Sequence, residues 1–372
     1  MMGRITAESL TEKSAEEKNE EQKKLTGYLN AGVRRFVRDI LRISLKNPAE
    51  RVFLGRYLWA AKKAETLRRK ASERGEHIPP FLIAGITARC NLACPGCYDR
   101  ALRIGGETSA EMTREEWGRI FKEAAQIGAS AILLAGGEPL MRPDVLETAA
   151  HYPSLLFPVF TNATLLNDSI TALFDGSRNL IPVLSVEGTE AFTDSRRGTG
   201  VYARIAEAME KLSARDILFG VSITVSRDNL AEAVSGESIE YLFKKGCRGV
   251  VFVEYVPVES PERALAPEDR LALETRVAAL RKRRDMVIIS FPADEAIAGC
   301  LAAGRGFFYI NPAGGAEPCP FSPYSDRNVR AGTLREALQS PLFAKLREDG
   351  LLRADRSGGC TLFAQADYVK NL

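Results

Sequence analysis

The sequence predicts an α/β fold in which short buried strands alternate with helices. Strands at intervals of about 24 to 50 residues, with helices between them, are typical of βα units that build a parallel sheet. A closed eight-stranded barrel needs two further units, which the sequence does not supply. Six apolar runs carry the prediction, at residues 81–87, 131–135, 155–160, 180–185, 217–225 and 250–256.

The composition is that of an ordinary globular protein. Of the 372 residues, 45% are hydrophobic and 27% are charged, which excludes collagen-like, disulfide-scaffold and disordered chains. The first 24 residues contain six Glu and five Lys or Arg, so they are not a secretory signal. A run of about 18 apolar residues, as a spanning helix requires, is absent. We expect a cytoplasmic protein with a disordered charged tail over residues 1–24.

Residues 25–78 form a strongly basic segment. Between Tyr28 and Arg74 there are 13 Lys or Arg and four Asp or Glu; since the whole chain carries +3, the remainder sums to −6. Apolar residues at helical spacing predict two amphipathic helices. These helices either pack on the main domain with a solvated basic rim or lie on an anionic membrane surface. Nucleic-acid binding is not expected, because no aromatic platform accompanies the charge.

Helices and a further strand follow in the second half of the chain. Thr113 with Glu116, and Thr333 with Glu336, form capping boxes that start helices. After residue 291 the composition changes to Gly, Pro and Cys, so we expect a domain boundary there. Helices are predicted over residues 201–214, 229–245, 267–284 and 333–347, and an extra strand over 286–290.

Three cysteines lie in the loop after the first strand, where parallel α/β folds build their sites. Cys90, Cys94 and Cys97 would bind three irons of a [4Fe–4S] cluster and leave the fourth iron open to an external ligand. The alternative is a structural zinc site with a distant fourth ligand. The chain has only two histidines, His77 and His151, so histidine-based metal and catalytic sites are not expected.

The second strand ends in Gly136-Gly137-Glu138-Pro139. Two glycines let the backbone approach a ligand closely, and a carboxylate at this place can accept a hydrogen bond from an ammonium group. A simple turn explains these four residues equally well. Their position one βα unit after the cysteine loop favours a common site.

The Cys-x3-Cys-x2-Cys loop followed by Gly-Gly-Glu-Pro resembles the radical S-adenosylmethionine (radical SAM) superfamily, over about residues 81–258. The resemblance implies a (β/α)6 partial TIM-like barrel and a [4Fe–4S] cluster held by Cys90, Cys94 and Cys97. It also implies reductive cleavage of S-adenosylmethionine (SAM) to a 5′-deoxyadenosyl radical that abstracts hydrogen from a substrate. A reductant such as flavodoxin or ferredoxin would supply the electron.

The same resemblance implies the residues of the SAM pocket. The methionyl amine would meet Gly136, Gly137, Glu138 and Pro139, and Arg197 would face the methionyl carboxylate. One position departs from the family, which usually has an aromatic residue just before the third cysteine. That position is Gly96 here, and the nearby aromatic is Tyr98. The remaining pocket residues, at the ends of the third and fourth strands, are Thr161, Asn162, Ser185 and Glu187.

The C-terminal cysteines resemble a second cluster motif. Cys300, Gly314 and Cys319 have the spacing that opens the SPASM or Twitch extension, and Cys360 would be a third ligand. The Cys-x2-Cys pair of the full SPASM pattern is absent, so the resemblance implies one auxiliary [4Fe–4S] cluster. Its fourth iron would bind substrate or a ligand that the sequence does not identify. The alternative is a set of buried thiols in a small loop-rich domain.

Three further features of the sequence have simple structural alternatives. Glu254 lies in an apolar strand, and since side chains alternate, either Glu254 or Tyr255 points inward. We take Glu254 as the candidate catalytic residue; a carboxylate paired with a barrel neighbour is the alternative. Asp194 and Arg196 are expected in a solvated loop, and Cys247 in the core.

These observations predict an oxygen-sensitive radical SAM enzyme whose unidentified substrate is lipid-like or another small molecule. A peptide- or protein-modifying maturase is the alternative, although the first 80 residues show no β-rich leader-binding module. A non-catalytic iron–sulfur electron-transfer or scaffold protein is the alternative of another class. The predicted domains are basic helices (25–78), the radical SAM barrel (79–290) and the small iron–sulfur domain (291–372).

Overall fold

The computed structural model describes residues 15–43, 48–103, 110–283, 285–291, 299–353 and 360–372. Within these ranges nine strands form one sheet in the order β7-β6-β5-β4-β3-β2-β1-β8-β9. Every neighbouring pair is parallel except β8 with β9. The strands are β1 (Phe81–Gly85), β2 (Ala131–Ala135), β3 (Phe157–Thr161), β4 (Leu180–Val186), β5 (Gly220–Val225), β6 (Gly249–Glu254), β7 (Val287–Phe291), β8 (Tyr309–Ile310) and β9 (Ala316–Glu317).

Helices fill the connections and cover the outer face of the sheet. They are α1 (Ala15–Ile43), α2 (Pro48–Glu73), α3 (Tyr98–Arg103), α4 (Arg114–Ile127), α5 (Pro143–Ala150), α6 (Asp168–Gly176), α7 (Glu190–Arg197), α8 (Val201–Ala214), α9 (Leu230–Ala233), α10 (Gly236–Lys244), α11 (Pro267–Leu280), α12 (Leu334–Leu338), α13 (Pro341–Glu348), α14 (Thr361–Ala364) and α15 (Ala366–Lys370).

The predicted (β/α)6 partial barrel is confirmed. Strands β1 to β6 correspond to the six apolar runs, and each pairs in parallel with the next. The extra strand is confirmed as β7, which continues the sheet beyond β6. Beyond the expected boundary at residue 291, β8 pairs with β1, so the C-terminal segment extends the barrel sheet. Residues of β1 to β6 are buried or half-buried on both faces, which agrees with their nearly continuous apolar sequence.

Capping residues and prolines set several helix ends. The structure corrects the predicted bounds of three helical segments. Helix α1 begins at Ala15, so residues 15–24 are helical and not a disordered tail; residues 1–14 lie outside the described ranges. The helix predicted over 229–245 is two helices, because Ser235 caps α10 by accepting from the Ser238 amide. The helix predicted over 333–347 is also two, because Pro341 cannot continue α12 and begins α13.

Helices α1 and α2 pack on the end of the barrel where the strands begin. The Tyr57 hydroxyl donates to the Ser130 carbonyl at 2.9 Å, directly before β2. Arg68 donates to the Gly128 carbonyl and, at 2.9 Å, to the Ser130 hydroxyl. Val37 of α1 and Tyr57 and Ala61 of α2 form a buried cluster with Leu156, directly before β3, as the first of the two interpretations has it. Membrane association stays a prediction, and none of the helices in the described ranges has an apolar stretch long enough to cross a bilayer.

Replacing Arg68 by Ala should lower the free energy of unfolding by about 2–4 kcal/mol. The guanidinium is 1% exposed and also donates to Asn30, so its loss leaves several buried acceptors unsatisfied. Urea unfolding followed by circular dichroism would measure the change. The matched control is Arg69→Ala, whose side chain is 68% exposed; an equal loss in both variants would contradict the role of Arg68.

Candidate active site at the carboxyl edge of the barrel

The cysteine loop and the Gly-Gly-Glu-Pro turn are joined by backbone hydrogen bonds. The Gly137 amide donates to the Thr87 carbonyl at 2.7 Å, and the Glu138 amide donates to the Arg89 carbonyl at 2.8 Å. A Cβ at Gly136 would lie 2.2 Å from the Thr87 oxygen, and one at Gly137 2.1 Å from the Arg89 oxygen. The two glycines therefore allow contact between two loops, whereas the sequence suggested close approach to a ligand.

The Glu138 carboxylate ties this turn to the end of β3. One oxygen accepts from the Thr161 hydroxyl at 2.6 Å and the Leu140 amide at 2.9 Å, and the other accepts from the Asn162 amide at 2.8 Å. The side chain is 1% exposed, and burial raises the pKa of the carboxyl group. Protein groups thus occupy three of the roughly four acceptor positions of this carboxylate. The predicted role of Glu138 as acceptor for an ammonium group stays a prediction.

Asn162 extends the connection to the cysteine loop. Its side-chain amide donates to the Asn91 side-chain oxygen at 3.0 Å and lies 3.9 Å from the Cys90 sulfur. The structure thus places Thr161 and Asn162 beside the cysteine loop and the Gly-Gly-Glu-Pro turn, and their contact with SAM stays a prediction. Ser185 lies one strand further, within β4 and opposite Ser222 of β5.

The three cysteines of the loop lie within electrostatic range of one another. Cys90 is exposed, and Cys94 and Cys97 are partly buried. Burial raises the pKa of the Cys90 thiol; it also raises that of Cys94, where the neighbouring Arg197 and Arg196 act in the opposite direction. In the described ranges, no three His, Cys, Asp or Glu side chains are grouped as ligands of a single metal ion. A cubane spreads its cysteines over different irons and therefore does not need that grouping.

Two arginines share one buried carboxylate beside the cysteine loop. A single oxygen of Glu187 accepts from Arg196 at 2.6 Å and from two nitrogens of Arg197 at 3.0 and 2.6 Å. Glu187 is 2% exposed. Two cations and one anion leave a formal surplus of one positive charge. That surplus fits both an anionic thiolate-bound cluster and the carboxylate of a methionyl group.

Arg196 belongs to the site, so its predicted place in a solvated loop is wrong. Its guanidinium also donates to the Pro95 carbonyl at 3.3 Å and is 3.5 Å from the Gly96 carbonyl, both within the cysteine loop. Asp194 is likewise engaged, since its carboxylate accepts from the Gly200 and Tyr202 amides at the start of α8. The sequence lacked a signal for these contacts because they depend on how α7 folds back towards the loop.

Tyr255, not Tyr98, is the aromatic residue in contact with Gly96. A Cβ built on Gly96 would lie 2.7 Å from the Tyr255 ring and 2.8 Å from its hydroxyl. The Gly96 amide also donates to the Glu259 carboxylate at 2.6 Å. Tyr98 begins α3, and its ring lies 5.1 Å from that of Phe321 in the C-terminal segment. The sequence analysis considered Tyr255 only as the alternative to Glu254 and missed both its contact with Gly96 and the role of Glu259. The glycine before the third cysteine was the available signal.

The C-terminal cysteines converge on one cavity, and their predicted role as ligands of an auxiliary cluster stays a prediction. Cys300, Cys319 and Cys360 line it together with Glu254 and several aromatic side chains. Cys319 is 3% exposed and Cys360 is 8% exposed. The Cys319 thiol donates to the Cys360 sulfur, which raises the pKa of Cys319 and lowers that of Cys360. Four chemically active groups from distant parts of the chain therefore meet at one place.

Glu254 and Tyr255 enter two different cavities, as side-chain alternation requires. Both are buried, at 8% and 2% exposure. The Glu254 carboxylate accepts from Arg270 of α11 at 2.6 Å, which agrees with the alternative of a paired carboxylate, yet it also borders the C-terminal cysteines. Cys247 is a core residue as predicted: its thiol donates to the Gly249 carbonyl at 3.1 Å, and burial raises its pKa to about 12.

Comparison with known proteins agrees with this geometry. Residues 85–234 match the Radical SAM superfamily. The chain is 30% identical over 302 residues to an AdoMet-dependent heme synthase from Methanosarcina barkeri, covering 72% of this chain and 85% of that protein. It is 28% identical over 266 residues to a PqqA peptide cyclase from Rhodopseudomonas palustris, covering 65% and 67%. Streptococcus suis SuiB bound to its precursor peptide SuiA has a similar fold, with a TM-score of 0.63 and 16% identity over 81% of this chain and 73% of SuiB.

Replacing Gly137 by Ala should remove roughly half of the iron from the reconstituted protein. The added methyl group would collide with the Arg89 carbonyl and push the cysteine loop from its position. Iron and sulfide assays on anaerobically reconstituted protein would measure the loss. The matched control is Gly55→Ala on α2, where a Cβ meets nothing within 4 Å. If both variants hold wild-type iron, the close contact does not position the loop.

Proposed function

Because the chain belongs to the radical SAM superfamily, we propose that it modifies a peptide held between the cysteine loop and the cavity of the C-terminal cysteines. When bound at a reduced [4Fe–4S] cluster, SAM supplies a 5′-deoxyadenosyl radical that abstracts hydrogen from the substrate. The chain is therefore an enzyme that needs an external one-electron donor. The observation that carries the proposed place of the substrate is that Glu254, Cys300, Cys319 and Cys360 meet at the end of β6. The substrate class follows from the similarity to PqqA peptide cyclase.

Cys90, Cys94 and Cys97 would hold the SAM-binding cluster. Their loop is anchored on three sides, by the Gly136–Gly137 contact, by Asn162 and by Arg196. The surplus positive charge of Arg196 and Arg197 over Glu187 would offset the negative charge of the thiolates. A reactive radical needs a rigid site that excludes water, and these contacts provide the rigidity.

The SAM pocket would extend from the Gly-Gly-Glu-Pro turn to Arg197. The backbone of Gly136 to Pro139 would face the methionyl amine, since the Glu138 side chain is engaged with Thr161 and Asn162. Arg197 would face the methionyl carboxylate from its bond with Glu187. Ser185 lies on β4, on the path between these groups and β5.

Cys300, Cys319 and Cys360 would hold the auxiliary cluster. Their cavity contains the carboxylate of Glu254, so we assign Glu254 to a contact with the substrate or with the open iron. Tyr98 would border the same region through Phe321. We propose the domain division 15–78, 79–290 and 291–372, in which the first unit includes the whole of α1 and the last is joined to the barrel through β8.

Two candidate substrate classes have support. A peptide is favoured by the similarity to PqqA peptide cyclase and by the shared fold with a peptide-bound enzyme. A tetrapyrrole is the second candidate, because the heme synthase is matched over 85% of its length. A lipid-like substrate has less support than the sequence suggested. The basic helices, on which that idea depended, lie at the opposite end of the barrel from the cysteine loop.

Replacing Cys94 by Ala should abolish dithionite-driven formation of 5′-deoxyadenosine and leave about four irons per chain. Replacing Cys319 by Ala should also leave about four irons, while 5′-deoxyadenosine still forms in the absence of substrate. Iron analysis and chromatography of the nucleoside products would distinguish the two variants. Complete loss of iron from both would contradict the assignment of two separate ligand sets.

The substrate class can be tested by hydrogen transfer. Cells of the source organism grown in D2O yield an extract whose carbon-bound hydrogens are deuterium. We expect fractions of this extract to transfer deuterium into 5′-deoxyadenosine, detected by mass spectrometry, and protease treatment of the extract to abolish the transfer. Cys94→Ala enzyme is the control. Transfer that survives proteolysis and follows the low-molecular-weight fraction would reject the peptide and favour a tetrapyrrole or another small molecule.

A further inference from the structure

We infer that the Tyr255 hydroxyl binds the nucleoside part of SAM, so that β6 supplies the aromatic residue missing from the cysteine loop. The inference rests on the proposed cluster site at Cys90, Cys94 and Cys97 and is independent of the proposed peptide substrate. It concerns a residue that departs from the usual pattern of the family. Three separate features of Tyr255 support it.

The first feature is position. Tyr255 occupies the space into which a side chain at residue 96 would project, directly before Cys97. Gly96 has a φ of 66°, a left-handed conformation that favours glycine. An aromatic residue at position 96 would collide with the Tyr255 ring and strain the backbone. The ring and the glycine are therefore mutually dependent.

The second feature is the hydroxyl itself. Tyr255 is 2% exposed, and among the described residues its buried hydroxyl has no hydrogen-bond partner. A buried hydroxyl without a partner is unfavourable, and Phe would fill the same space without that penalty. A bound ligand that offers hydrogen-bonding atoms would satisfy it. Purine nitrogens and ribose hydroxyls are groups of that kind.

The third feature is the cavity that Tyr255 borders. Its walls come from the carboxyl ends of β4, β5 and β6, the edge that also carries the cysteine loop. The Arg263 guanidinium lies 5.6 Å from the centre of the Tyr255 ring and restricts its movement. A rigid ring with a hydroxyl directed towards the cluster loop suits recognition of a nucleoside. The other lining residues are Glu187, Phe192, Arg196, Thr224, Ser226 and Asn229.

The test compares Tyr255→Phe with Tyr57→Phe in the anaerobically reconstituted full chain. Equilibrium dialysis with SAM should show an increase in Kd of about 3- to 10-fold for Tyr255→Phe, as expected for one lost hydrogen bond. Its SAM-induced rise in Tm should shrink, while the Tm without SAM stays unchanged or rises. Tyr57→Phe loses a buried hydrogen bond at the opposite end of the barrel, so its Tm should fall and its SAM affinity should not change.

Wild-type affinity in Tyr255→Phe would overturn the inference and leave the proposed function intact. Failure of the iron-loaded wild-type protein to bind SAM would overturn both. A double-mutant cycle of Gly96→Ala and Tyr255→Ala tests the contact itself. Gly96→Ala should impair cluster loading less in the Tyr255→Ala background, because the space for the methyl group is then free. Purely additive effects would contradict the contact.

Discussion

The site depends on the close approach of two loops at the carboxyl edge of the barrel. Gly136 and Gly137 bring the backbone of the second loop against Thr87 and Arg89 of the first, at distances that exclude a Cβ. The buried carboxylate of Glu138 then joins this pair to the end of β3. Because three consecutive βα units are joined in this way, the cysteines lie in a loop whose position is determined by the sheet.

The charges of Arg196, Arg197 and Glu187 nearly balance one another beside Cys94. Glu187 neutralises one of the two arginines beside Cys94, and one positive charge remains. Without Glu187, two adjacent guanidinium groups, in side chains that are each 12% exposed, would repel each other. With it, the arginines are held in place, and the remaining charge favours thiolates and a bound carboxylate. The Glu187 carboxylate thus holds the two arginine side chains in place.

The end of β6 divides the functional edge into two cavities. Glu254 borders the cavity of the C-terminal cysteines, and Tyr255 borders the cavity beside Gly96. Two consecutive residues can border two cavities because successive side chains of an extended chain point in opposite directions. A substrate lying across this strand end would contact both regions. The arrangement accounts for a polar pair at the end of an otherwise apolar strand.

The sequence by itself determined the βα order, the two cysteine groups and the Gly-Gly-Glu-Pro turn, because period, spacing and residue type are local properties. It also indicated Glu254 as a candidate catalytic residue, and the family resemblance indicated Arg197 as a residue of the SAM pocket. Only the tertiary structure decided that Arg196 and Tyr255 belong to the site, that the Glu138 side chain is engaged with β3, and that the basic helices lie at the far end of the barrel. These contacts join residues far apart in the chain, such as Gly96 and Tyr255. Their pairing follows from how the strands close into a barrel, which local patterns do not encode.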